Sequence, residues 1–241
     1  FAAVNWDLTE NLTLTAGARY SKDEKDGYID IAYMHSFLSG VFGFLPTGTV
    51  VGDGANGTAP LEFDDSEVTP EISLNWSLSD DVSLFAAYKT GYKSGGFDNS
   101  ALPSATLGNG DVGPLLYESE TGEGFEAGVK SMLMDGALRL NATAFYYVYE
   151  DLQVQLFDSV NIQFTTFNAG ELTTQGLEAD FMWATGIDGL TINGAIALTD
   201  AEYSKEFINN EGDDLNGRTP ARTADMAGNI GFNYETSAFG N

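Results

Sequence analysis

The chain has 241 residues, room for one large domain or two small ones at about 150 residues each. It carries 36 Asp and Glu against 10 Lys and Arg, a formal charge of −26, which argues against a phosphate-binding surface and so against nucleic acid as a partner. With no cysteine and one histidine, His35, it has no disulfide framework, no thiolate or multi-histidine metal site and no histidine-based triad beyond what one His allows.

Aromatic residues make up 12% of the chain, which argues against disorder despite the charge. No run approaches 18 apolar residues, so no transmembrane helix is predicted. The mean hydropathy of −0.13 suggests a soluble protein, but an average is blind to alternation.

Period two dominates the chain, and nine strands are predicted. The first covers about 1–6. The second, about 12–21, alternates Leu12, Leu14, Ala16, Ala18 and Tyr20 with Thr13, Thr15, Gly17, Arg19 and Ser21. Strands at about 68–78 and 82–93 follow; the first sets Ile72, Leu74, Trp76 and Leu78 against Ser73, Asn75 and Ser77. A strand at about 117–130 precedes one at about 137–157, where Leu138, Leu140, Ala142, Ala144, Tyr146 and Val148 share a face opposite Arg139, Asn141 and Thr143. Strands at about 161–184, 190–203 and 222–235 complete the set. Parity changes between Phe164 and Leu177, so a bulge is expected near Asn168-Ala169-Gly170. No helical period of useful length is present.

The connections alternate in length. Those at 7–11, 79–81, 131–136 and 185–189 are tight. Those at 22–67, 94–116 and 204–221 are long, and 158–161 is a tight tip on two extended strands. Short turns at one end and long loops at the other describe an up-and-down outer-membrane β-barrel better than a soluble sandwich. Trp6, Trp76 and Trp183 each lie within three residues of a tight turn on the apolar parity. Tyr20, Tyr88 and Tyr146 sit farther along the same face. Six to nine tilted residues span roughly 15–23 Å, near the roughly 25 Å apolar band bounded by aromatic girdles. The opposite face carries Arg19, Lys89, Glu126, Lys130, Arg139, Glu178, Asp180 and Asp225, which suits a hydrated lumen.

Four segments then carry a family resemblance. Tyr88-Lys89-Thr90-Gly91-Tyr92-Lys93-Ser94-Gly95-Gly96-Phe97 resembles a strand-to-loop segment of TonB-dependent outer-membrane receptors. Tyr117-Glu118-Ser119-Glu120 with Phe125-Glu126-Ala127-Gly128-Val129-Lys130-Ser131 is similar to another of their strands. So is Phe167-Asn168-Ala169-Gly170 with Thr174-Gln175-Gly176-Leu177-Glu178-Ala179-Asp180. Leu215-Asn216-Gly217-Arg218-Thr219-Pro220-Ala221-Arg222 resembles the loop entering a late strand.

The resemblance implies an all-β fold: about nine antiparallel strands of a 22-stranded barrel in the bacterial outer membrane. Residues 1–241 would be part of the barrel domain, read as an internal slice without signal peptide, plug, TonB box or terminal aromatic residue. The implied function is active uptake of a scarce nutrient, most commonly a ferric siderophore, with cobalamin, haem or an oligosaccharide as alternatives. The implied partners are outer-membrane lipid and lipopolysaccharide, the ligand itself, and TonB with ExbB and ExbD, reached through the plug.

No catalytic residue, metal site or cofactor is expected. One histidine without a convincing partner argues against an outer-membrane protease or lipase. A soluble adhesin would bury the three tryptophans. Candidate ligand contacts are Tyr33, His35 and Phe37 in the longest loop, Phe97 and Lys93 at a strand-to-loop junction, and Arg19 on the lumenal parity. The run Asn209-Asn210-Glu211-Gly212-Asp213-Asp214 offers oxygen ligands for calcium but lacks the EF-hand spacing, so a solvated loop is expected. Asp23-Glu24-Lys25-Asp26 and Asp64-Asp65-Ser66-Glu67 read as hydrated loop bases.

Overall fold

A computed structural model describes residues 1–30, 58–98, 113–158, 163–209 and 212–236. The candidate contacts Tyr33, His35 and Phe37, the 158–161 tip and Glu211 lie wholly or partly outside them.

The strands are β1 (Ala2–Thr9), β2 (Leu12–Asp30), β3 (Thr58–Ser79), β4 (Val82–Lys93), β5 (Gly96–Phe97), β6 (Leu116–Tyr117), β7 (Glu120–Leu133), β8 (Leu138–Asp158), β9 (Gln163–Ala184), β10 (Leu190–Tyr203) and β11 (Met226–Tyr234). Nine of them form one antiparallel sheet in the order β1-β2-β3-β4-β7-β8-β9-β10-β11, as the alternation predicts. The short turns that follow Thr9, Ser79, Leu133 and Ala184 all fall at one end. At the turn between β7 and β8, Met134, Asp135 and Gly136 take φ of 58°, 56° and 88°.

Register divides the sheet cleanly. Val4, Trp6, Tyr20, Ile72, Leu74, Trp76, Phe125, Leu140, Tyr146, Leu177, Trp183, Ile196, Ile230 and Phe232 share one face and are all more than a third exposed. Arg19, Lys89, Glu126, Lys130, Arg139, Glu178 and Asp180 occupy the other. A water-soluble sheet would cover that apolar face; here it is bare, as lipid contact requires. Among the described residues only six hydrophobic side chains are buried, and five of them (Leu61, Leu115, Ala169, Ala201 and Phe207) lie toward the long-loop end. The packed core therefore sits under the loops and not between layers.

The tryptophans fix the tilt. Trp6 stands on the rung Trp6–Leu14–Leu74–Ala86–Ala127–Ala144–Leu177. Trp76, two strands away on β3, is two residues nearer the short turns than that rung. Trp183, six strands away on β9, is six residues nearer. The stagger is one residue per strand. At about 3.3 Å per residue and 4.8 Å between strands, it places all three rings at one level if the strands lean about 35°, close to the tilt of a membrane barrel.

Three expectations are corrected. First, residues 22–30 and 58–67 are not loop: they extend β2 and β3 into a hairpin paired from Leu12↔Trp76 to Asp30↔Thr58. Polar side chains on both faces hide a strand from hydropathy alternation when water wets both sides. Second, β7 begins at Glu120 and β11 at Met226. Residues 116–117 instead form β6, which pairs with β5. Third, no bulge interrupts β9. Glu150↔Glu171 and Leu152↔Ala169 keep one register, and only the Asp151–Gly170 rung is missing, with Asp151 at φ 52°. Both strands keep the same residue count across the irregular rung, so the inserted residue that a bulge requires is absent.

Candidate ligand-contact surface

Gly96↔Tyr117 continues the register of Lys93↔Glu120, so β5 and β6 are the tip of the β4–β7 hairpin beyond a kink at Ser94-Gly95 and Glu118-Ser119. A Cβ on Gly95 would stand 2.6 Å from Phe63 Cζ and 2.7 Å from the Glu118 carbonyl carbon, so only glycine fits the bend.

Polar contacts pin this tip from both sides. Toward β2 and β3, the Lys25 ammonium donates to Ser94 Oγ at 2.9 Å and to the Gly95 carbonyl. The Asp65 carboxylate accepts from the Ser119 hydroxyl and, at 3.3 Å, from the Tyr92 hydroxyl. Toward β8 and β9, Gln153 Nε2 donates to the carbonyls of Ser94 (3.1 Å) and Glu118 (3.0 Å). Asn168 accepts from Glu118 N–H at 2.8 Å and donates to the Glu118 carbonyl at 2.9 Å, matching a backbone edge. Asp98 accepts from Thr166 N–H, and Leu115 is fully buried beside it in the tip. Backbone groups that the kink removes from the ladder are thus satisfied by side chains of the two adjoining hairpins.

Ser119, Ser66 N–H and Tyr92 hold the Asp65 carboxyl below its ordinary 3.8. The residue lies on the hairpin above the apolar band. A lowered folded value means the pin contributes stability above the ordinary Asp range and loses it as pH falls through the lowered value. The melting difference between wild type and Asp65→Asn should therefore be constant at neutral pH and close only below about pH 4. A constant difference down to pH 2 would contradict this role.

Below the tip, the inner wall is aromatic and polar. The rings of Tyr147 and Tyr149 stack at 6.4 Å and 29°. Tyr147 lies over Gly124, where a Cβ would meet its Cγ at 2.6 Å. The Tyr147 hydroxyl donates to Glu126, whose other oxygen accepts from Lys89 at 2.8 Å. Lys93 pairs with Glu120 at 3.5 Å. Lys89, Lys93, Glu120, Tyr147 and Tyr149 border a recess of about 290 Å³. A second recess, about 980 Å³, lies along β2 and β3 and includes Arg19, Glu71, Tyr92 and Ser94.

The described candidates are therefore distributed. Lys93 borders the smaller recess and is ion-paired. Arg19 is exposed in the larger one, which also touches the neighbours of Lys93. Phe97 is half-buried, paired in β5 with Leu116. Sequence reasoning passed over Tyr147 and Tyr149, although aromatic rings on the polar parity of β8 were a readable signal. It also passed over Asp65, Gln153 and Asn168, whose roles depend on a neighbouring hairpin.

The loop after β10 folds back on β9. Phe207 packs against Phe167 and Tyr203 at ring distances of 5.7 and 5.0 Å. Glu171, above the band, accepts from Lys205 at 2.8 Å and from the Ser204 hydroxyl at 2.7 Å, which hold its carboxyl below the usual range. In the expected acidic loop, Asn209 Oδ1 accepts from Asp213 N–H at 2.8 Å, and Asp214 Oδ1 accepts from Asn216 N–H at 2.9 Å. Among the described residues no group of three or more His, Cys, Asp or Glu is arranged to hold a metal ion.

The family model described as "TonB dependent receptor-like, beta-barrel" matches residues 1–241. The chain is 29% identical over 138 residues to the metal-pseudopaline receptor CntO of Pseudomonas aeruginosa, covering 57% of this chain and 17% of that protein. It is 26% identical over 183 residues to the pesticin receptor of Yersinia enterocolitica, covering 76% of this chain and 23% of that one. The chain thus spans about a quarter or less of these relatives. Its fold matches the ferric yersiniabactin uptake receptor FyuA from Yersinia pestis with a TM-score of 0.65 at 17% identity, over 96% of this chain and 30% of that structure.

Proposed function

The chain belongs to the TonB-dependent receptor β-barrel family, and from that premise we propose that it forms part of the barrel wall of a receptor for active uptake of a scarce nutrient, most simply a ferric siderophore. Receptors of this family are outer-membrane transporters and not enzymes. The observation that carries the reading is the division of one sheet into a bare apolar face and a polar face with recesses at the long-loop end. One named relative is a metal-pseudopaline receptor and another a pesticin receptor, and the first supports a metal complex as ligand without naming it.

In this proposal the two recesses and the Tyr147–Tyr149 wall contact ligand entering between the loops. A plug supplied by the rest of the protein closes the lumen, and TonB with ExbB and ExbD provides the energy. Outer-leaflet lipid and lipopolysaccharide surround the aromatic face. The test is uptake by a deletion strain offered single labelled iron chelates. One chelate should be lost, restored by the full-length gene, and lost again when the proton gradient is collapsed. Unchanged uptake across iron, copper, cobalamin, haem and oligosaccharide sources would refute it.

A further inference from the structure

The inner face of β8 carries an aromatic ring at every second residue from Phe145 to Tyr149. The ring centroids of Phe145 and Tyr147 are 6.4 Å apart, as are those of Tyr147 and Tyr149, at interplanar angles of 39° and 29°. Two strand residues rise about 6.6 Å, so the rings keep step with the backbone and form a ladder roughly 13 Å long. Phe85, on the inner face of β4, stands at its foot, across Gly128 from Thr143.

Each of these rings faces a glycine directly across the sheet: Tyr149 faces Gly122, Tyr147 Gly124, Phe145 Gly176 and Phe85 Gly128. A Cβ on Gly122 would stand 2.9 Å from Tyr149 Cδ1, one on Gly176 2.7 Å from Phe145 Cζ and one on Gly128 2.6 Å from Phe85 Cε1, so a larger residue would push each ring off the wall. Side chains on a strand ordinarily stand away from the sheet. Here glycine lets the rings lie down, and all four are half-buried, with one face against backbone and the other toward the lumen. The Tyr147 hydroxyl donates to Glu126, itself held by Lys89, which fixes that ring in place.

A wall that holds a fixed domain interlocks with it, since stable interfaces pack as closely as protein interiors. Rings sunk onto glycines offer no knobs. They offer a repeated π surface on which a flat group gains stacking at each rung. The ladder starts at Tyr149 and Tyr147, which border the smaller recess, and runs from there toward the short-turn end. We propose that it is a stacking track that guides a planar ring of the ligand, aromatic or heteroaromatic, from the recess down the lumenal wall. The proposal rests on the uptake reading above and narrows its substrate class to solutes that carry such a ring.

The test places one reporter thiol in the full receptor in cells, freed of any other cysteine. Thr143→Cys sits at the foot of the ladder, and Ala227→Cys lies on the same rung three strands away on β11, next to Asn229 and Asp225 on that face. Modification rates are measured with benzyl and cyclohexylmethyl methanethiosulfonate, two neutral reagents of similar size, each normalised to a small free thiol. The benzyl reagent should react about fivefold faster at Thr143→Cys and no faster at Ala227→Cys. Adding Phe145→Leu with Tyr147→Leu should bring the ratio at Thr143→Cys near one, whereas Tyr147→Phe, which keeps the ring, should leave it high. Equal ratios at the two positions would overturn the proposal, as would a ratio that survives loss of both rings. So would a Thr143→Cys that neither reagent reaches, since a plug would then cover the rings. Failure of the uptake reading appears separately, as a deletion strain that loses no solute, and leaves the thiol ratios unaffected.

Discussion

Arginine in place of Ala142 is expected to destabilise the membrane-inserted receptor by about 2–4 kcal/mol, whereas arginine at the next residue, Thr143, should cost under about 0.5 kcal/mol. Ala142 lies on the outward face of β8, four residues below Tyr146 and four above Leu138, between Val129 and Ala179. A guanidinium there meets hydrocarbon near the bilayer midplane. Thr143 points the other way, and its cross-strand partner is Glu178. An arginine there enters a hydrated lumen opposite a carboxylate. Urea titration of the full receptor refolded into bilayers measures both. Equal costs at the two positions would mean that the faces are not solvated differently.

Gly95→Ala is expected to have the second large effect, about 1–3 kcal/mol, because the added methyl overlaps Phe63 and the Glu118 backbone. The kinked tip should swing away from its pins. The amides of Glu118 and Thr166, which donate to Asn168 and Asp98, should then exchange hydrogen much faster. Gly27→Ala is the control, since a Cβ there meets nothing within 4 Å. Unchanged exchange at both amides in Gly95→Ala would show that the tip is not held by this bend.

The membrane-facing part of the fold was legible because lipid on one side and water on the other impose strict alternation. Ala142, Ala144 and Tyr146 against Asn141 and Thr143 suffice to orient β8. The aromatic ends were legible for the same reason: Trp6, Trp76 and Trp183 each follow or precede a tight turn on the apolar parity. Legibility failed where both faces meet water. From Lys22 to Asp30 and from Thr58 to Glu67 the side chains are mostly polar, so a paired hairpin reads as loop. It failed again at the tip, where Gln153 and Asn168 satisfy the Glu118 backbone from 35 and 50 residues away in sequence and Asp65 accepts from the Ser119 hydroxyl 54 residues away. Of the candidate contacts, Lys93 and Phe97 lie on one kinked hairpin, which the strand-to-loop wording already hinted at. Arg19 joins their surroundings only through the β2–β3 register.

A tilted wall with one face in lipid holds its three tryptophans at one depth, and that depth can be measured. Full receptors retaining Trp6, Trp76 or Trp183 alone are placed in bilayers whose lipids carry bromine at known depths, and fluorescence quenching is measured for each. One common depth is expected, within about 4 Å, at the membrane interface on the short-turn side. Upright strands would separate Trp183 from Trp6 by about 20 Å, and a buried core would leave all three unquenched. Either result would contradict it.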